Sequence, residues 1–205
     1  KLKQYNIYFY ISLGLFCILA GQVIVLVMFN LTQIKYHIGY DASSLYLKTM
    51  EMVKQGSLFI SNWSEQTSLY LDSPVPIAAL IYAVTGNIFV SYGMANCIIL
   101  AAVLILFYMI LKSFGISNIS KLVCLNMVTC TYITPKFQNG NDLSYFSCVL
   151  SSANWYGLKI LLMLMVIKIF IDLEEEKYNV IYIIVTEILL FVSGVSSGWY
   201  MLVTV

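Results

Sequence analysis

The chain has 205 residues, 60% of them hydrophobic types and 10% charged, where a soluble domain runs about 45–50% and about 25%. Together with a mean hydropathy of +0.86 and a formal net charge of +1, this excludes an ordinary soluble enzyme, a disordered tail and a nucleic-acid binder. It implies an all-α integral membrane protein. The basic residues are lysines without a single arginine, so any phosphate contact falls to Lys, backbone amides or hydroxyls.

A helix needs roughly 20 apolar residues to cross the hydrocarbon. Residues 4–34 carry no charge, and the stretch 7–31 is apolar. It reads as span one, too long for a signal-peptide core and without a small-residue cleavage site after it. Residues 73–111 are also charge-free but are broken by Thr85-Gly86-Asn87. That break divides them into a short helix, 76–84, and span two, 88–111. Span three is about 119–133 and ends before Pro135, span four about 155–171, and span five starts at Val180. The expected fold is therefore a bundle of about five spans with two interfacial helices in the first outer loop. Residues 1–205 read as a single transmembrane domain. The start at Lys1 and the stop inside an apolar run suggest the N-terminal part of a longer protein.

Lys1 and Lys3 before span one favour a cytoplasmic N-terminus. Alternation then places Lys112, Lys121, Lys168 and Lys177 inside and the loops 32–75 and 134–154 outside, a multi-pass arrangement in the cell membrane. Lys159 and Lys168 in span four are expected to snorkel to opposite interfaces, with Lys168 also able to pair with Asp172 four residues on. Glu187, inside span five, carries a membrane cost. Cys17, Cys97, Cys124 and Cys130 lie in apolar runs and pack as small hydrophobes. With Cys148 they form no CxxC pair, so neither a zinc site nor a disulfide framework is signalled.

The first outer loop holds the informative pattern. At about 3.6 residues per turn, a helix from Asp41 to Gln55 gathers Asp41, Ser44, Lys48, Glu51 and Gln55 on one arc. Ala42, Tyr46, Met50 and Val53 fall nearly opposite. This is an amphipathic helix expected to lie in the membrane interface, ended by Gly56. Asp72-Ser73-Pro74 then opens the helix 76–84, with Ser73 as cap and Pro74 in the first turn. Gly86 ends that helix.

In this order the sequence resembles the GT-C class of membrane glycosyltransferases, most closely the protein O-mannosyltransferase and lipid A aminoarabinose transferase group. The resemblance covers roughly residues 5–115. It rests on Tyr40-Asp41 early in the first outer loop, Tyr46 with Lys54-Gln55-Gly56, Ser73-Pro74-Val75-Pro76, the Thr85-Gly86-Asn87 break, and Lys112-Ser113-Phe114-Gly115. The chain departs from the group in having Pro-Val-Pro where paired prolines are usual, Ala42 after Asp41, and no arginine after the break.

The resemblance implies transfer of a sugar from a polyprenyl-phosphate donor to a glycan, lipid or protein acceptor on the outer face. On its own, Asp41 reads as a helix cap. The resemblance gives it a second role as the catalytic carboxylate, the base that takes a proton from the acceptor hydroxyl. Tyr40 accompanies it in the matched pair. His37 is an ordinary loop residue or a contact to Asp41 or the donor phosphate. Asp72 favours the dipole of the helix it precedes, and Glu65 is a solvated loop charge. Their other role is to position the acceptor or to hold a divalent metal with Asp41. Lys136 and Asp142 flank a polar Asn-Gly turn or form a cavity rim with Lys136 near the lipid phosphate. Trp63, Tyr70 and Trp155 are candidates for stacking on sugars. Two other functions fit a membrane chain of this kind, a transporter or flippase of lipid-linked sugars and a non-catalytic scaffold. No internal repeat supports the transporter.

Overall fold

The computed structural model describes residues 2–36, 40–61, 69–130, 156–177 and 179–196, with side chains from residue 7 in the first segment and from residue 43 in the second. The described residues form seven α-helices and no strand. They are α1 (Leu2–Met28), α2 (Tyr40–Gln55), α3 (Val75–Thr85), α4 (Ile88–Ser113), α5 (Asn118–Thr129), α6 (Gly157–Glu174) and α7 (Val180–Ser196). Two stretches are long and apolar enough to cross a membrane, Ile7–Tyr36 and Ile88–Ser113. At 26 residues, α4 is about 39 Å long, more than the roughly 30 Å of hydrocarbon.

Helix boundaries follow local chemistry. α3 and α4 are separated by the expected break. Gly86 is left-handed at φ 64°, and its N–H bonds the Tyr82 carbonyl, a conformation that costs glycine nothing. Asn87 then caps α4, its side chain accepting from the Phe89 and Val90 amides. At the start of α3 the Ser73 hydroxyl accepts from Val75 N and donates to the Tyr70 carbonyl, and Pro76 sits in the first turn. α5 is shorter than the expected 119–133. It ends at Thr129, whose hydroxyl bonds back to the Leu125 carbonyl, and Cys130 is extended. Residues 131–133 lie outside the described part.

The helices alternate in direction around α4. α1 and α5 run together, joined by Asn126 Nδ2 donating to the Leu15 carbonyl at 3.0 Å and Thr129 Oγ1 donating to Gln22 Oε1 at 2.6 Å. α4 runs against them. α6 packs along α4 and starts at the same end, with Ile160 against Leu26 and Leu100, and α7 returns beside α6, with Tyr182 donating to the Met165 carbonyl and Ser196 reaching Asp72. The C-terminal end of α1, the N-terminal ends of α4 and α6 and the C-terminal end of α7 therefore share one end of the bundle. It is called the loop end below, because α2 and α3 pack there.

α1 does not stop cleanly at that end. Its last turns widen into a π-helical turn, Phe29–Gln33, and then tighten into a 3₁₀ turn, Ile34–Tyr36. Asn30 is fully buried, and its side chain donates to the Leu26 carbonyl and accepts from Asn96 of α4. A widened turn brings the Asn30 backbone close to α4, and a Cβ on Gly93 would lie 2.3 Å from the Asn30 carbonyl oxygen. Only glycine allows this approach.

α2 packs on α3 and on the start of α4. The Tyr92 hydroxyl lies 2.7 Å from Thr49 Oγ1 and donates to the Leu45 carbonyl at 3.0 Å, while the Tyr46 and Tyr92 rings meet edge to face at 4.3 Å. The buried face of α2 comprises Leu45, Tyr46, Lys48, Thr49 and Met52. This corrects the expected polar arc. Tyr46 lies inside, as the amphipathic reading requires, but Lys48 is 2% exposed rather than facing water. The protein solvates it internally, with its ammonium donating to the Leu69 carbonyl at 2.7 Å and lying 5.3 Å from the centre of the Tyr70 ring.

Candidate functional site

The loop that enters α3 is tied to the rest of the bundle through one carboxylate. Tyr70 takes a left-handed backbone, φ 58°, which is strained for a bulky residue. Its neighbours hold it there. The Leu69 amide donates to the Ser196 carbonyl, and the Leu71 amide donates to Ser196 Oγ. The loop thus docks on the last turn of α7 by two backbone donors from alternate residues. The next residue, Asp72, is 2% exposed.

Asp72 Oδ1 accepts from Ser196 Oγ at 2.8 Å and Oδ2 from Ser193 Oγ at 3.0 Å. Lys159 of α6 places its ammonium 3.5 Å from Oδ2. The Ser196 hydroxyl accepts from the loop and donates to the carboxylate, so its donor and one acceptor site are both used. Lys159 in turn lies 5.7 Å from the centre of the Tyr156 ring. The loop between α2 and α3, α6 and α7 therefore meet at Asp72, and α2 reaches the same loop through Lys48. Both carboxylate oxygens are hydrogen-bonded, which satisfies a buried charge. One carboxylate with an ammonium already beside it is a poor donor set for a divalent cation. Among the described residues no group of three His, Cys, Asp or Glu comes together.

Of the residues expected to form the site, Asp72 is described in full, turned toward protein partners. Tyr40 and Asp41 are placed as backbone positions in the first turn of α2, about two turns before Lys48. His37, Glu65, Lys136 and Asp142 lie outside the described residues, as do Trp63 and Trp155. The expected Lys168–Asp172 pair is present, while Lys159 departs from the snorkelling expectation. Lys159 pairs with Asp72 instead, because a carboxylate lies within its reach. Glu187 is exposed on α7.

Comparison with known proteins gives no matching family model, no matching curated protein and no matching solved structure. The reading of the site therefore stands on its own chemistry.

Sequence reasoning did not assign Lys48, Lys159, Ser193 or Ser196 to the site. A signal for the serines was present. Ser193 and Ser196 are three apart on an otherwise apolar helix, so they share a face, and two hydroxyls on one face of such a helix ask for a common partner. Near the cluster, burial pushes the Tyr46 phenol well above its usual pKa. Its hydroxyl is buried without a hydrogen-bond partner.

Proposed function

We infer that this chain is a multi-pass membrane glycosyltransferase of the GT-C type, moving a sugar from a polyprenyl-phosphate donor to an acceptor at the loop end of the bundle. In this reading the five spans are built on α1, α4, α5, α6 and α7, of which α5 as described is too short to cross by itself, α2 and α3 lie in the interface, and the N-terminus is cytoplasmic. A single observation carries the proposal. A long apolar helix, a short helix, a buried Asp-Ser-Pro-Val-Pro turn, a second short helix and a second long apolar helix follow one another, with both short helices packed at one end of the long pair. The membrane part is supported by α1, which bares Ile7, Tyr8, Phe9 and Tyr10 around its first turns and Phe16 and Ile24 further along, more apolar surface than a water-exposed helix carries.

Asp41, at the start of α2, is the base in this proposal. It takes the proton of the acceptor hydroxyl as that oxygen attacks the anomeric carbon, and the polyprenyl phosphate departs with the bonding electrons. Asp72 has a positioning role. It fastens the α2–α3 loop to α6 and α7, and through that loop it steadies α2, the helix that carries Asp41. The test is turnover of a polyprenyl-phosphate hexose by the purified full chain in lipid nanodiscs, read as release of polyprenyl phosphate. Release above a protein-free control supports the transferase. Movement of intact donor between leaflets without release indicates a flippase, and neither outcome indicates a scaffold.

A further inference from the structure

The end of the bundle opposite Asp72 carries a second polar feature. There α1, α4 and α5 enclose a groove of about 380 Å³. α1 supplies Phe9, Ser12 and Phe16, α4 supplies Tyr108, and α5 supplies Asn118 and Lys121. Lys121 is only 8% exposed, and its ammonium lies 5.5 Å from the centre of the Tyr108 ring. The ion pairs among the described residues use Lys54, Lys159, Lys168 and Lys177, and Lys121 takes part in none of them.

The Lys121 stem is covered by protein, and its ammonium, which an aromatic ring compensates only in part, has no opposite charge beside it among the described residues. The groove around it suits an anion. Lys121 lies in the first turns of α5, where the helix dipole adds positive potential, and Ser12 and Asn118 bring hydrogen-bonding groups to the same groove. The walls are of another character. Phe9 and Phe16 are exposed on the outside of α1, so the groove opens sideways between helices rather than toward an end.

We propose that this groove binds an anionic phospholipid, its headgroup phosphate on Lys121 and Asn118 and an acyl chain along Phe9 and Phe16. One positive group at the end of an apolar wall matches that amphiphile, whereas a free phosphate would leave the aromatic wall unused. The exposed Lys112 at the end of α4 adds a second cation on the headgroup side. The proposal requires the chain to sit in a bilayer but does not require it to be a transferase.

The test is lipid binding by the purified full chain in non-ionic detergent. Phosphatidylglycerol, phosphatidylcholine or inorganic phosphate is titrated, and bound lipid is counted by native mass spectrometry. Phosphatidylglycerol is expected to bind saturably and to be preferred over phosphatidylcholine, and inorganic phosphate is expected not to displace it. Lys121→Met, which keeps an unbranched stem and removes the charge, should weaken phosphatidylglycerol by at least about fivefold, the factor for one basic group at an anionic surface. Wild-type binding by Lys121→Met, equal binding of the two lipids, or displacement by inorganic phosphate would each overturn the proposal. Should Lys121→Met not fold, Ser12→Trp fills the groove instead, and retained lipid in that variant is equally damaging. Alkaline extraction of the chain from membranes separates the two levels. A chain that stays in the pellet yet binds no phosphatidylglycerol loses the lipid site alone, whereas one that is extracted loses both.

Discussion

Replacing Asp72 by Asn keeps the side chain's size while removing its charge, and the consequences follow from the three contacts described above. Ser196 Oγ can still donate to the amide oxygen, so its link to the Leu71 amide survives. Ser193 now faces an NH₂ group and must turn from donor to acceptor, which a hydroxyl can do. Lys159, which can only donate, loses the carboxylate charge beside it. Its side chain is 17% exposed, so water replaces only part of the lost interaction. Removing one partner of a fully buried pair costs about 3–5 kcal/mol, and the remaining access to solvent brings this down to about 2–3 kcal/mol here. Lys159→Met should cost less, about 1–2 kcal/mol, because two serine hydroxyls still hold the carboxylate. The double variant should lie within about 1 kcal/mol of wild type, since a methionine beside an amide leaves no uncompensated charge. The assay is reversible unfolding of detergent-solubilised protein by sodium dodecyl sulfate, followed by circular dichroism. If Asp72→Asn unfolds within about 0.5 kcal/mol of wild type, or if the two substitutions add, the buried pair is not what fastens the loop to α6 and α7.

Three further substitutions probe the packing that supports the loop end. Gly93→Ala should destabilise by about 1–2 kcal/mol in the same assay, since the clash with the Asn30 carbonyl outweighs the helix preference of alanine; a gain in stability would disprove the close approach. Tyr92→Phe removes the hydroxyl shared by Thr49 and the Leu45 carbonyl and should cost about 1 kcal/mol. Tyr46→Phe, one turn away on the facing helix, deletes a hydroxyl with no partner and should be neutral or stabilise by up to about 1 kcal/mol. The opposite ranking of these two tyrosines would contradict the hydrogen bonding described for α2 and α4.

Much of the scaffold was legible because its signals are local. The left-handed Gly86, the Asn87 cap and the prolines at the start of α3 act over four residues or fewer, and they mark the α3–α4 break within a residue of its place. The length of α4 follows from an uninterrupted apolar run. The site was less legible because its bonds are long-range. Lys48 meets Leu69, and Asp72 meets Lys159, Ser193 and Ser196, over separations of 21 to 124 residues. Helical periodicity assigns a lysine to the polar side of its own helix and is blind to a carbonyl or carboxylate brought up by another segment. Periodicity therefore gives Lys48 to the solvent, as the snorkelling rule gives Lys159 to the headgroups. The π-helical turn after α1 escaped for a related reason. Nothing in Phe29–Gln33 marks it apart from Asn30, whose partner is Asn96 on α4.

The most direct test of the transfer chemistry is the turnover of a polyprenyl-phosphate hexose by wild type, Asp41→Asn and Glu65→Gln, at matched expression and melting temperature. Asn remains a good helix cap, so α2 should keep its start and the fold its stability. What is lost is the negative charge and the capacity to accept a proton, and general-base loss typically costs about 10²–10⁴-fold. The predicted result is a wild type that releases polyprenyl phosphate, an Asp41→Asn variant slowed by about that factor, and a Glu65→Gln variant close to wild type. Undiminished turnover by Asp41→Asn would reduce Asp41 to a cap and move the base elsewhere, and a wild type that releases nothing would contradict the transferase itself.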